Sequence, residues 1–186
     1  STPRCPSRRR GRAASLAAAE QRTLLVDGDP QGNATSGVGL TPDRFSHTTY
    51  EVVLGEASAR EAIINSVQFN HLDVLPATPD LAGAEVELVG KPGREHAMAV
   101  GLAAVREEYK YILIDCPPSL GLITLNMLSA ADALLIPLQC EYYALQGISQ
   151  LLNTVHLVQK GVNEKLVIHG VLLTMYDPRS NLANQV

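Results

Sequence analysis

Two short segments place acidic residues where a carboxylate can do chemistry. The first, LLVDGDPQGNATSG, sets Asp27 and Asp29 directly behind an aliphatic run and ahead of the loop Pro30, Gln31, Gly32 and Asn33. The second, YILIDCPPSLG, sets Asp115 behind Tyr111, Ile112, Leu113 and Ile114 and ahead of Pro117 and Pro118. A carboxylate fixed at the end of a strand suits the holding of Mg²⁺ on nucleotide phosphates, usually through water. Two successive prolines can neither extend a strand nor enter a helix interior, so they form a stiff loop behind that carboxylate, suited to reporting the state of a bound phosphate. With Asp115 in that role, Asp29 becomes a candidate for orienting the water that attacks a γ-phosphate, because phosphoryl transfer depends on positioning more than on covalent help. Asp27 then reads as structural support. Both segments also have plainer readings. An Asp after a strand commonly caps the next helix, and Asp-Pro and Gln-Gly-Asn are ordinary turn chemistry.

Elements that would carry these residues follow from the apolar pattern. Short aliphatic-rich runs at Leu24 to Val26, Leu72 to Leu75, Ile112 to Ile114, Ala133 to Ile136 and Val167 to Leu173, broken only by Asp73, His169 and Gly170, read as buried parallel strands. Between them, Ala97, Val100, Gly101, Ala104 and Val105 recur at helical spacing, as do Leu145, Ile148, Leu152 and Val155. Strands alternating with helices of this length predict right-handed crossovers and a doubly wound α/β fold, a mainly parallel sheet with helices on both faces. In such a sheet ligands sit at the carboxyl ends of the strands, which is where Asp27, Asp29 and Asp115 fall.

Composition narrows the function classes. The chain has 186 residues, 46% of them hydrophobic, enough for one domain with one core. The longest apolar runs, such as Ala130 to Leu138 with Asp132 inside it, fall well short of the roughly 20 residues of a membrane span. A net charge of −4 gives no overall attraction to nucleic acid, so any DNA contact must be local. Cys5, Cys116 and Cys140 form no C-x-x-C pair, and the five histidines are scattered, which argues against a disulfide framework or a zinc site and fits a reducing cytoplasm. Residues 1–12 stand apart, with five arginines and two prolines and no aliphatic residue, and read as a disordered non-core segment ahead of a domain spanning 13–186.

VDGDPQGNATSG and YILIDCPPSLG, together with GVLLTMYDPRSNLA, resemble the ParA/Soj/MinD superfamily of deviant Walker ATPases, with ParA/Soj the nearest branch. The resemblance runs from Ala13 to Val186. It implies a P-loop NTPase-like fold and an ATPase that dimerises around two ATP-Mg²⁺, binds DNA nonspecifically as a dimer, and is triggered by a ParB-like centromere-binding partner in the cytoplasm, on the nucleoid. By resemblance Asp115 is the Walker B aspartate, Asp29 the switch I aspartate acting on the catalytic water, Asn33 a second switch I residue, and Pro117 to Gly121, with Pro118, switch II. The strand end Thr174, Met175, Tyr176, Asp177 resembles the position that meets the nucleotide base in related folds, although Tyr-Asp-Pro is also a plain strand-to-turn exit. Gln139, Glu141 and Tyr142 resemble a segment leading into a long helix and read as structural.

One family element does not occur in the sequence. The glycine-rich K-G-G-x-G-K-[ST] loop, whose backbone N–H groups and lysines cradle phosphate at a helix N-terminus, would stand ahead of RAASLAAAEQ, where the chain has one glycine, no lysine and no strand-like run. The expectation is a truncated or frame-disrupted end, a sheet lacking the phosphate-loop strand, and a chain that binds ATP-Mg²⁺ weakly and does not hydrolyse it as given. Two other functions compete with a partition ATPase: a nucleotide-free remnant acting as a protein-interaction module, and a MinD-like septum-positioning ATPase, which needs an amphipathic membrane helix.

Overall fold

The structure, a computed structural model, describes residues 8–117, 119, 121–139 and 144–174. The chain forms two compact units, Ser1–Ala130 and Ala131–Val186.

The first unit is built on three parallel strands, β1 (Thr23–Asp27), β2 (Leu72–Leu75) and β3 (Tyr111–Asp115), in the order β2-β1-β3. Side chains on a strand alternate between faces, and here both faces are apolar because both are covered. Leu24, Val26 and Leu75 point into one core, with α3 (Thr49–Leu54), α4 (Ala59–Ala62), α5 (Ala84–Glu87), α6 (Ala97–Ala103) and α7 (Leu122–Ala130) laid over it. Leu25, Leu72 and Val74 point into the other, under α1 (Arg8–Ala18) and α2 (Asn33–Gly37). The α/β class, parallel pairing and helices on both faces are as the sequence predicts. Helix α1 starts at Arg8, inside the arginine-rich segment, and buries Ala13 and Ala17.

Local sequence fixes the smaller helices. Thr48 and Glu51 form a reciprocal capping box at the start of α3, which ends at Gly55 with φ 77°, and Ser58 and Glu61 do the same for α4. Two helical stripes differ from expectation. On α6 the buried residues are Met98 and Leu102, with Val105 just beyond, whereas Val100 is 74% exposed. In the second unit, α8 (Ala144–Gly161) buries Val155 and Val158 and leaves Leu152 exposed. Apolar residues outnumber the places on a face, and which of them turn inward depends on the neighbour they meet.

In the second unit β4 (Ala133–Gln139) pairs in parallel with β5 (Val167–Thr174), with a register shift between Leu134 and Leu135. Thr174 closes the pair by donating its hydroxyl to the Leu138 carbonyl at 2.7 Å.

Candidate functional site

Parallel register puts Asp27 opposite Asp115 at the carboxyl ends of β1 and β3. The Gly28 N–H donates to the Asp115 carbonyl at 2.8 Å, which continues the ladder one step and brings the Asp29 loop alongside Asp115. Asp27 and Asp115 are both buried, while Asp29 and Pro117 are partly exposed and Asn33 is exposed at the first turn of α2. The structure therefore gathers Asp29, Asn33, Asp115 and Pro117 at one end of the sheet. Pro118 and Met175 lie outside the described residues, as do Glu141 and Tyr142.

Asp27 does more than support in a general sense. It is fully buried, and its Oδ2 accepts both the backbone N–H and the hydroxyl of Thr35, each at 2.7 Å, while Oδ1 accepts the Asp29 N–H at 3.2 Å. Burial pushes its carboxyl above the usual value; the hydrogen bonds from Thr35 and Asp29 oppose that, and the charge of Asp115 adds to it. The Thr35 hydroxyl also accepts the Ala77 N–H at 2.9 Å, and the Thr49 hydroxyl donates to the carbonyls of Asp27 at 2.7 Å and Pro76 at 3.1 Å. These threonines bind the ends of β1 and β2 together behind the loop.

The loop itself is wound tightly on Asp29. One of its carboxylate oxygens, Oδ1, accepts the Gln31 N–H at 2.9 Å, and its carbonyl accepts the Gly32 N–H at 2.8 Å. Gly32 has φ 59°, and a Cβ there would stand 3.0 Å from the Ala77 carbonyl oxygen, so the turn into α2 requires glycine both for its backbone and for its closeness to β2. The turn chemistry noted in the sequence is present, and it is what holds Asp29 in place.

Comparison with known proteins shows the family. A family model described as an AAA domain matches residues 11–168. Over 174 residues the chain is 56% identical to the chromosome partitioning protein ParA of Myxococcus xanthus, covering 94% of this chain and 61% of that protein. It is 54% identical to the sporulation initiation inhibitor protein Soj of Bacillus subtilis, covering 93% of this chain and 68% of that protein. The chain belongs to the ParA/Soj family of partitioning ATPases. Among solved structures it resembles cobyrinic acid a,c-diamide synthase from Mycobacterium smegmatis with bound ATP analog and magnesium, at a TM-score of 0.86 and 40% identity over 95% of this chain and 73% of that one. The chain thus spans about 61% of the first relative's length and 68% of the second's.

Thr35, Thr49 and Glu85 escaped the sequence reading. Thr35 stands eight residues past Asp27 in NATSG, where nothing in its type marks it, and a hydroxyl's partners are set by which strands lie beside it. Glu85 binds the start of α7 from 37 residues upstream, beyond the reach of any local pattern.

Proposed function

We propose that the chain carries the switch and metal-holding residues of an ATP-hydrolysing partition protein of the ParA/Soj type, acting in chromosome or plasmid segregation. What supports this most is the Gly28 to Asp115 hydrogen bond, which sets the Asp29 loop against the end of β3. Asp115 would hold Mg²⁺ through water, and Asp29 would orient the attacking water with the oxygen that does not accept the Gln31 N–H. Hard carboxylate oxygens suit Mg²⁺, and no cluster of three acidic, His or Cys side chains occurs among the described residues, which matches an ion shared with substrate phosphates better than one held in a protein cage. Bound Mg²⁺ supplies neutralisation of the charge that develops on the phosphates. Asn33, Pro117, Pro118 and Met175 are proposed to line the nucleotide. The Mycobacterium smegmatis structure, with its ATP analog and magnesium, supports the cofactor pair.

The partners proposed on family grounds are a ParB-like protein, nonspecific DNA and a second copy of the chain held by ATP, with the nucleoid in the cytoplasm as the place of action. No described helix is long and apolar enough to cross a membrane. The test uses the chain with a phosphate loop added ahead of Ala13. Asp29→Ala should keep nucleotide binding and lose turnover about a hundredfold or more, as when one preorganised transition-state contact is deleted. Asp115→Ala should weaken Mg²⁺-dependent binding itself. Loss of binding in the first variant with no effect in the second would reverse the assignment. The 186-residue chain should give no measurable heat with ATP-Mg²⁺ at micromolar concentration, because its residues 1–12 hold one glycine and no lysine with which to cradle phosphate.

A further inference from the structure

The loop that leaves Asp115 ends at α7, and the first amides of α7 are held by a side chain from another part of the chain. The Glu85 carboxylate accepts the Leu122 N–H through Oε2 at 2.9 Å and the Ile123 N–H through Oε1 at 3.1 Å. A helix start leaves its first N–H groups without helical partners and carries partial positive charge, so a carboxylate there is held by charge-assisted bonds. Two other carboxylate caps are local: Glu51 serves Thr48 and Glu61 serves Ser58, each within a single turn. A local cap moves with its helix. A remote one ties its helix to a second element.

That second element is seated in the core on one side. Glu85 sits on α5 between Ala84, fully buried, and Leu88, 1% exposed, and the preceding turn buries Leu81. Space on the other side is equally constrained, since a Cβ on Gly121 would run into Glu85 Oε1, so the carboxylate is seated against the last residue of the loop. Among the described residues the loop is held at Asp115 through the Gly28 N–H at 2.8 Å, at Ser119 through the Thr124 hydroxyl at 2.6 Å, and at Leu122 with Ile123 through Glu85. Asn126 secures the same helix further along, accepting the Met98 N–H and donating to the carbonyls of Arg94 and Leu122.

We propose that Glu85 is a positioning residue for the loop between Asp115 and α7: it anchors the far end of that loop to α5, and so limits where Cys116 and Pro117 stand beside the strand-held Asp115. Its consequence for turnover rests on the ATPase reading above; its consequence for the loop does not. Removing two charge-assisted bonds frees the helix start, and the release travels back through Gly121 and Ser119 toward Cys116, half-buried beside Asp115.

Two readouts on the chain itself test this. Amide hydrogen exchange reports the anchor, and the alkylation rate of Cys116, with Cys5→Ser and Cys140→Ser in the background, reports the opposite end of the loop. In Glu85→Ala, exchange at Leu122 and Ile123 should rise about tenfold or more, as loss of bonds to a charged group implies. Cys116 alkylation should rise severalfold, while the amides of β1 and β2 stay within about twofold of the original. Glu85→Gln, which keeps the shape and one acceptor, should fall between, and it decides the matter by the same two readouts if the alanine variant does not fold. Faster exchange at Leu122 and Ile123 with unchanged Cys116 alkylation would make Glu85 a helix cap and nothing more, and no change in either would also overturn the proposal. In the chain bearing a phosphate loop, Glu85→Gln should lower kcat with KM for ATP held within about twofold, the pattern of a lost transition-state alignment; equal changes in both would count against positioning. If that chain hydrolyses no ATP with Glu85 intact, the ATPase reading fails, and exchange and alkylation still decide the anchor.

Discussion

Asp27 shows how a residue chosen for chemistry differs from one chosen to hold chemistry in place. Three donors converge on its carboxylate, two of them from Thr35, yet burial still raises its pKa because desolvation outweighs them. The sign of the pH effect follows. A folded pKa above the unfolded value of 3.8 means the folded state binds the proton more tightly, so Asp27's contribution is fully present below that value and is lost as pH rises through the folded pKa. Urea unfolding from pH 3.5 upward should show this as a component of falling stability that disappears in Asp27→Asn, measured as the difference between the two proteins; equal pH profiles would refute it. Thr35→Val should cost about 1 to 3 kcal/mol, since it leaves the buried Ala77 N–H without its acceptor and takes from Asp27 Oδ2 one of its two donors, and Thr35→Ser should recover most of that. The sequence exposed the acidic residues because their type and position are unusual. It hid Thr35 because a threonine near a turn is ordinary until the strand beside it is known.

At the scale of elements, short-range chemistry and burial have separate origins. Capping boxes are written in the sequence, as Thr48 with Glu51 and Ser58 with Glu61, and the structure forms both. Thr48→Ala should cost about 1 kcal/mol in urea titration and Thr48→Ser much less. All five strands lie on the aliphatic-rich runs that announced them, although β2 carries Asp73 and β5 carries His169 and Gly170. Helix faces were less legible. The spacing of Val100, Gly101 and Ala104 is helical, but α6 turns Met98 and Leu102 inward, and Asn126 of α7 accepts the Met98 N–H beside them. An alanine-rich helix presents several faces of similar hydropathy, and the choice among them is made by the partner helix. Met98→Ala should therefore cost about 2 to 5 kcal/mol, as for a fully buried side chain, whereas Val100→Lys should change stability by less than about 0.5 kcal/mol. Similar losses at the two positions would show that α6 packs on its other face.

For the whole molecule the open question is whether its apolar strands are sufficiently covered. β1 lies between two strands, and Leu24, Leu25 and Val26 are fully buried. Among the described residues β3 pairs with β1 alone; Ile112, Leu113 and Ile114 are only partly buried and Tyr111 is 41% exposed. On β5, Val167, Ile168, Val171, Leu172 and Leu173 are between 37% and 55% exposed. A buried aliphatic side chain is worth about 1.5 to 3 kcal/mol, so eight of them left roughly half covered forgo on the order of 8 kcal/mol, as much as the net stability of many domains. Unpaired backbone groups along an apolar edge add a template for association with other copies. We therefore expect the chain on its own to self-associate as concentration rises and, when dilute, to melt below about 50 °C. Light scattering behind a sizing column and near-ultraviolet circular dichroism measure both. Val171→Lys together with Leu173→Lys, which place charge on an exposed strand, should reduce association. A monomer that unfolds cooperatively above about 50 °C, within the range of ordinary mesophilic domains, would show that a half-covered β3 and β5 suffice for a stable fold.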